Sequence, residues 1–222
     1  MSDKKISIVL TGATGMVGEG VLEECLQHAQ VEWVLIINRK PAGISHPKLK
    51  ELIQSDLADI SSIKEKVKGY DACLFCLGIS SVGISADDYY KTTYTLTLGF
   101  AKTLAEVNPD MVFEYVSGEN TDSSEKGNSR WARVKGKTEN DLMKLFKNAY
   151  GIRPGMIKPN KGQKRVHKLY YAFAWLYPVL KTFFKGAAST MHQLGQAMIK
   201  IALDGNSKKI LEVRDINALG EG

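Results

Sequence analysis

Short apolar runs alternate with longer stretches of helical periodicity along this 222-residue chain. The run KISIVL (5–10) predicts a strand, and the glycine-rich turn behind it leads into a helix over roughly 16–29. VEWVLIIN (31–38), rich in Val and Ile and closed by RKPAG, predicts a second strand. LKELIQSDL (49–57) reads as a third, weaker strand and DISSIKEKVKG as a short capped helix. DACLFCLG (71–78) has the pattern of a buried strand ending in Gly. From about Asp87 to Val107 the periodicity is that of a long helix, with Tyr90, Tyr94, Leu98, Ala101 and Leu104 on its apolar face and NPD as its stop. MVFEYVSG (111–118) predicts a strand, SRWARVKGKTENDLMKLF a helix, and NAYGIRPG a strand running into a turn. No internal repeat or low-complexity stretch interrupts this order.

Strand and helix alternating at these lengths predict an α/β protein whose parallel sheet is covered by helices on both faces. In such sheets ligands sit outside the carboxyl ends of the strands. The loops that matter therefore begin at Thr11, Asn38, Asp56, Gly78, Ser117 and Arg153.

The first of them carries the clearest chemistry. IVLTGATGMVGEG places Gly12, Gly15 and Gly18 three apart between the first strand and the first helix. Gly12 permits a tight turn, Gly15 lets the backbone approach a pyrophosphate, and Gly18 lets helix and strand pack closely. Thr14, Met16 and Val17 complete the turn, where unsatisfied amides and the helix dipole favour phosphate. At the end of the second strand an NAD site usually has an acid for the ribose 2′-hydroxyl. Here stand Asn38, Arg39 and Lys40, and two cations suit a 2′-phosphate. The expectation is NADP(H) rather than NAD(H).

Charge sharpens this picture more than composition does. The net charge is +6, yet Leu142–Leu203 holds eleven Lys and Arg and no acid, while the rest has 19 basic against 24 acidic side chains. The whole excess lies in the C-terminal third, either as a solvated face or as a positive field that attracts an anionic ligand. Tyr170, Tyr171 and Trp175 interleave with it, but no recognised nucleic-acid motif accompanies them, and nucleic acid is not an expected partner. NKGQKRVHKLYYAFAWLYPVLKTFF (160–184) is broken by Pro178 and Lys181, so it is too short to span a bilayer. Its aromatics beside lysines allow peripheral membrane contact through 158–185. Cys73 and Cys76 form C-x-x-C, but on a strand they point to opposite faces. Together with four scattered histidines this predicts no metal site. The opening MSDKKISIVL lacks a signal-peptide core and cleavage site, so the expected compartment is the cytoplasm.

The spacing T-G-x-x-G-x-x-G resembles that of short-chain dehydrogenase/reductases, in particular the extended and atypical, epimerase-like members. QSDL, with Asp56 and Leu57, resembles the loop whose acid contacts the adenine amino group. FCLG, with Leu77 and Gly78, is similar to the strand end that lines the cofactor. YVSG, at Ser117, falls where the catalytic serine segment does. IRPG, with Pro154 and Gly155, resembles the turn beside the nicotinamide. TMHQLGQAMIKIAL and LEVRDINAL are similar to the tail of atypical members. The resemblance implies one NAD(P)-binding Rossmann domain over 1–222, doubly wound. A small C-terminal helical segment on the substrate side forms its lid at 158–188. Pairing of two long helices in a homodimer is also common in that family.

It also implies a proton donor, a tyrosine four residues before a lysine that acidifies it and holds the nicotinamide ribose. WARVK supplies Lys135, but Trp131 stands in the tyrosine position, and an indole does not exchange protons near neutral pH. Ser117 is followed by Gly118, with Thr121, Ser123 and Ser124 as further hydroxyls. Tyr89, Tyr90, Tyr94 and Tyr115 are either relocated donors or packed aromatics. Two functions follow from this. One is an NADP-dependent oxidoreductase or epimerase acting on a small anionic carbonyl or hydroxyl compound, with Lys135, Ser117 and Thr121 as catalytic groups and Lys158, Lys161, Lys164 and Arg165 on the substrate anion. The other is a catalytically impaired, nucleotide-sensing regulatory or scaffold protein.

Overall fold

A computed structural model describes residues 4–166 and 187–221 of the chain. Seven strands form one parallel sheet. β1 (Ile6–Thr11) lies between β2 (Val31–Asn38) and β4 (Ala72–Phe75), and β3 (Leu49–Ile53) pairs outside β2. On the other side follow β5 (Val112–Val116), β6 (Asn148–Arg153) and β9 (Ile210–Glu212), giving the order β3-β2-β1-β4-β5-β6-β9. The order reverses at β1, and the crevice there opens above the carboxyl ends of β1 and β4. Two short strands, β7 (Met156–Lys158) and β8 (Ala188–Thr190), pair in a separate parallel ribbon.

Both faces of the sheet are buried at its central strands β1 and β4, which is why these are apolar without alternation, whereas the edge strand β3 is largely exposed. Ile6, Ile8 and Leu10 of β1 pack with Val21, Leu22 and Cys25 of α1 (Met16–Gln27). Met191, Leu194 and Met198 of α5 (Met191–Asp204) and Ile216 of α6 (Val213–Gly220) join the same layer. Val9, Phe75 and Phe113 face the other way, against Phe100 and Leu104 of α3 (Leu96–Val107) and Leu142 of α4 (Arg130–Leu145). The two halves of C-x-x-C part as strand geometry requires: Cys73 belongs to the second layer and Cys76 packs against the first.

The third strand stops at Ile53, and the capped helix after it is a 3₁₀ segment, Ser61–Lys66. The long helix starts at Ala86 and is continuous to Val107, but α2 (Ala86–Tyr90) joins α3 through a π turn at Lys91–Thr95. A π turn holds an extra residue, which rotates the preceding turns by about 100°. The buried positions there are consequently Tyr89, Thr93 and Thr97; Tyr90 is exposed, and Tyr94, its ring 4.8 Å away, is half-buried against the α3-side core. The expected stripe holds from Leu98 onward.

One core residue runs against the pattern. Glu114 of β5 is fully buried on the α1 face, and neither carboxylate oxygen has a hydrogen-bond partner among the described residues. Burial pushes its carboxyl well above the usual range. A carboxyl raised in the fold binds protons that the unfolded chain has released, so its contribution is intact below the unfolded value of 4.5 and is lost as pH rises toward the folded one. Glu114→Met removes that dependence while keeping the volume. The variant is expected to be more stable at pH 7 by about 1–3 kcal/mol, with the gap widening from about pH 4.5 upward. Denaturant titrations at several pH values measure this; a gap constant with pH contradicts the assignment.

Candidate nucleotide site

At the crevice, the chain leaves β1 through Gly12, whose φ of +75° is the left-handed region. A Cβ there would lie 2.7 Å from the Cys76 carbonyl group. At Gly18 a Cβ would meet the Gly12 carbonyl oxygen at 2.1 Å, so only glycine lets α1 lie this close to the turn. The Gly15 amide donates to the Gly12 carbonyl at 2.8 Å and closes the bend. Gly15 is also the N-cap of α1, and it offers no side-chain cap to the helix amides behind it. A Cβ on Gly15 would meet nothing nearer than 3.4 Å, so the space over the helix start is open. Uncapped amides, a helix dipole and an open approach fit a pyrophosphate.

Beside this turn a cleft of about 360 Å³ is lined by Gly12, Thr14, Ile37, Asn38, Arg39, Lys40, Leu57 and Leu77. Seven of these eight are residues that the sequence singles out; Ile37 is the addition. Asn38 itself is turned to structural use. Its amide donates to Glu51 Oε1 at 3.0 Å, and the same oxygen accepts the Ala42 amide at 2.8 Å. Glu51 thus braces the loop that presents Arg39 and Lys40, which are exposed and form no ion pair among the described residues. Asp56 is exposed and accepts the Ala58 amide at 2.8 Å, while the neighbouring Leu57 is buried in the cleft wall. Gly78 is exposed beyond Leu77, with open space about it.

The other end of the crevice is built on α4. Trp131, Lys135 and Glu139 are spaced by four and share one helix face. The Lys135 ammonium donates to the Ser117 carbonyl oxygen and sits 5.9 Å from the centre of the Trp131 ring. A Cβ at Gly118 would be 3.9 Å from it. Burial pushes the ammonium below its ordinary value, and the Glu139 carboxylate opposes that shift. Glu139 is itself buried and paired with Arg153, whose Nε donates at 3.1 Å and whose second guanidinium nitrogen donates to the other oxygen. Arg153 also donates to Ser123 Oγ at 2.5 Å and to Glu212 Oε1 at 3.1 Å.

This ion-pair cluster engages Ser117 and Ser123, while the other hydroxyls bond within their own loop. Ser117 is buried and donates to Glu139 at 2.5 Å; Thr121 donates to the Gly118 carbonyl at 2.8 Å; Ser124 donates to Asp122 at 2.6 Å. Pro154 accepts the Glu119 amide at 3.0 Å, and Gly155 leaves room for the Ala187 carbonyl and the Glu119 carboxylate. The four tyrosines have partners of their own. Tyr89 is buried and hydrogen-bonded to Thr93, Tyr115 is buried against Thr138, and Tyr94 donates to Asp141 at 2.7 Å with the Tyr90 ring tilted against it. Burial raises the phenols of Tyr89 and Tyr115. Sequence reasoning passed over Glu51 and Glu139 and named Arg153 only as the start of a loop, though the four-residue step from Lys135 to Glu139 was the available signal for one of them.

Of the cations expected on a substrate anion, Arg165 is placed elsewhere. Its guanidinium donates to the Ala42 carbonyl at 2.9 Å and to the Ala13 carbonyl at 3.3 Å, beside the glycine turn. Lys161 and Lys164 are exposed. Tyr170, Tyr171, Trp175 and the lid or membrane segment from 167 to 186 lie outside the described residues. No described helix is long and apolar enough to cross a membrane.

A seven-stranded parallel sheet reversing at β1, with a glycine turn feeding an uncapped helix, defines a Rossmann protein of the short-chain dehydrogenase/reductase type. The sequence profile of the NAD dependent epimerase/dehydratase family matches residues 8–146. The chain belongs to that NAD(P)-binding family. Among curated relatives, leucinostatins biosynthesis cluster protein T of Purpureocillium lilacinum is 33% identical over half of this chain, and the match spans only 42% of that protein's length. The mitochondrial protein FMP52 of Debaryomyces hansenii is 25% identical over 89% of this chain and 86% of its own. The fold matches that of the Helicobacter pylori ADP-L-glycero-D-manno-heptose-6-epimerase, with a TM-score of 0.68 at 13% identity over 99% of this chain and 82% of that one.

The expected cytoplasmic location is overturned by these relatives, since several are Fmp52 proteins named as mitochondrial. Cysteine usage and composition carry no signal that tells mitochondrial from cytoplasmic placement.

Proposed function

We propose that the chain binds NADP(H) in preference to NAD(H) and acts as an oxidoreductase or epimerase on a small, anionic carbonyl or hydroxyl compound. One observation supports the cofactor choice above all: Arg39 and Lys40 line the cleft beside Gly12 and Thr14, on a loop braced from below by Glu51. When bound, the cofactor supplies or accepts the hydride. The amides at the start of α1 hold its diphosphate, and Leu57 and Leu77 give the adenine two apolar walls. Lys135, fixed by the Ser117 carbonyl, orients the nicotinamide ribose. With Trp131 in place of a phenol, proton transfer falls to the Lys135 ammonium, whose lowered affinity for its proton suits donation, or to water. Ser117 serves through Glu139, as part of the frame that holds Lys135.

Trp131 supports a second reading, in which the bound nucleotide controls affinity for a partner and turnover is absent. The two are separated by following NADPH absorbance with a panel of small carbonyl compounds, and, because an epimerase consumes no net cofactor, deuterium exchange at the carbinol carbon of hydroxyl compounds in the presence of 4-deuterated NADPH, for the wild type and Trp131→Tyr. Turnover by the wild type, with a rate gain of about 10²–10⁴ in the variant, is the expected result. Turnover confined to the variant favours the nucleotide-sensing reading, and no binding of either coenzyme defeats both.

A further inference from the structure

The segment after β7 runs back along α1 toward its N-terminus. Asn160 donates to Glu24 Oε1 at 2.8 Å and Glu23 Oε2 at 3.2 Å; about two helical turns closer to the glycine bend, Gln163 donates to the Met16 carbonyl at 2.5 Å. The Arg165 amide then donates to Glu19 Oε2 at 2.7 Å. One guanidinium nitrogen reaches the carbonyl of Ala13, inside the glycine turn, and another that of Ala42, two residues past Lys40. Glu19 Oε1 lies 3.9 Å away as its countercharge. A planar fork of donors suits such a span, whereas an ammonium is a single point. The two carbonyls belong to the two loops that form the walls of the nucleotide cleft, one carrying the phosphate-binding amides and the other carrying Arg39 and Lys40.

We propose that Arg165 is a positioning residue of the nucleotide site, tying the glycine turn to the loop after β2 and so fixing the spacing between the diphosphate cradle and the cations for the 2′-phosphate. The inference rests on the NADP(H) reading above and adds a determinant more than a hundred residues away in sequence. Its action is on ligands that use both walls together. A ligand that engages the glycine turn alone depends on it little.

Calorimetric titration with adenosine 2′,5′-bisphosphate and with 5′-AMP tests this, because neither probe has a nicotinamide end. The wild type is expected to bind the bisphosphate at least tenfold tighter than 5′-AMP. Arg165→Ala is expected to lose about tenfold or more in bisphosphate affinity and less than threefold for 5′-AMP. Arg165→Lys should lose as much, since one ammonium cannot span two carbonyls. Lys68→Ala, which removes an exposed charge remote from the cleft, should bind as the wild type does. Bisphosphate affinity in Arg165→Ala within twofold of the wild type overturns the proposal, and so does full affinity in Arg165→Lys, which would make charge rather than the bridge responsible. A wild type that fails to prefer the bisphosphate instead removes the NADP(H) reading, and this proposal with it.

Discussion

Replacing Arg39 and Lys40 together by alanine is expected to weaken NADPH binding by about 30–100-fold while changing NADH binding less than threefold. Hydrogen bonds to charged partners contribute about 1.5–3 kcal/mol each, and exposure of both side chains places them at the low end. Two such contacts come to about 3 kcal/mol, which solvent screening of exposed charges lowers to about 2–3 kcal/mol, and 1.4 kcal/mol is a factor of ten. The effect is specific because neither side chain braces the loop. Glu51 does that through Asn38 and Ala42, so the cleft keeps its shape when the cations are removed. Fluorescence or calorimetric titration with both coenzymes measures it, preferably at low ionic strength, where exposed charges are least screened. Equal losses for both coenzymes would mean that the loop, rather than the phosphate contact, had been damaged. A wild type without preference would reject the assignment.

Arg153→Met is expected to cost about 3–5 kcal/mol of stability, the range for a buried ion pair that loses one partner. Arg153 is 7% exposed and Glu139 1%, so the carboxylate left behind has little water to turn to. The same guanidinium ties the Ser123 loop and the Glu212 end of β9 to α4, so the loss reaches three elements. Glu139→Met in the same chain should recover a substantial part, because it removes the stranded charge. Chemical denaturation of the two single variants and the double variant supplies the cycle. If Arg153→Met costs under 1 kcal/mol, or the double variant is no better than Arg153→Met, the pair is not the brace inferred here. Because Ser117 donates to Glu139 and the Ser117 carbonyl holds the Lys135 ammonium, surviving Arg153→Met protein should also bind the full dinucleotide less tightly than wild type.

The amino-acid sequence by itself determined the alternation of strand and helix, the parallel sheet and the glycine turn. It also determined that two cations rather than an acid follow β2. These are local matters: apolar runs of a given length, glycines at a fixed step and a charge at a strand end are settled within a few neighbouring residues. The short strands β7 and β9 escaped it because three residues carry no period, and the π turn escaped because one inserted residue rotates a helix face without changing composition. Only the tertiary structure decided the use of each polar side chain. Ser117, chosen as a catalytic hydroxyl, is drawn to Glu139; Asn38 is drawn to Glu51; Arg165, chosen for a substrate anion, bridges Ala13 and Ala42. A charged or hydroxyl group takes whichever partner burial brings within 3 Å of it. Those partners stand 13 to 152 residues away in the chain, a separation that no local pattern encodes.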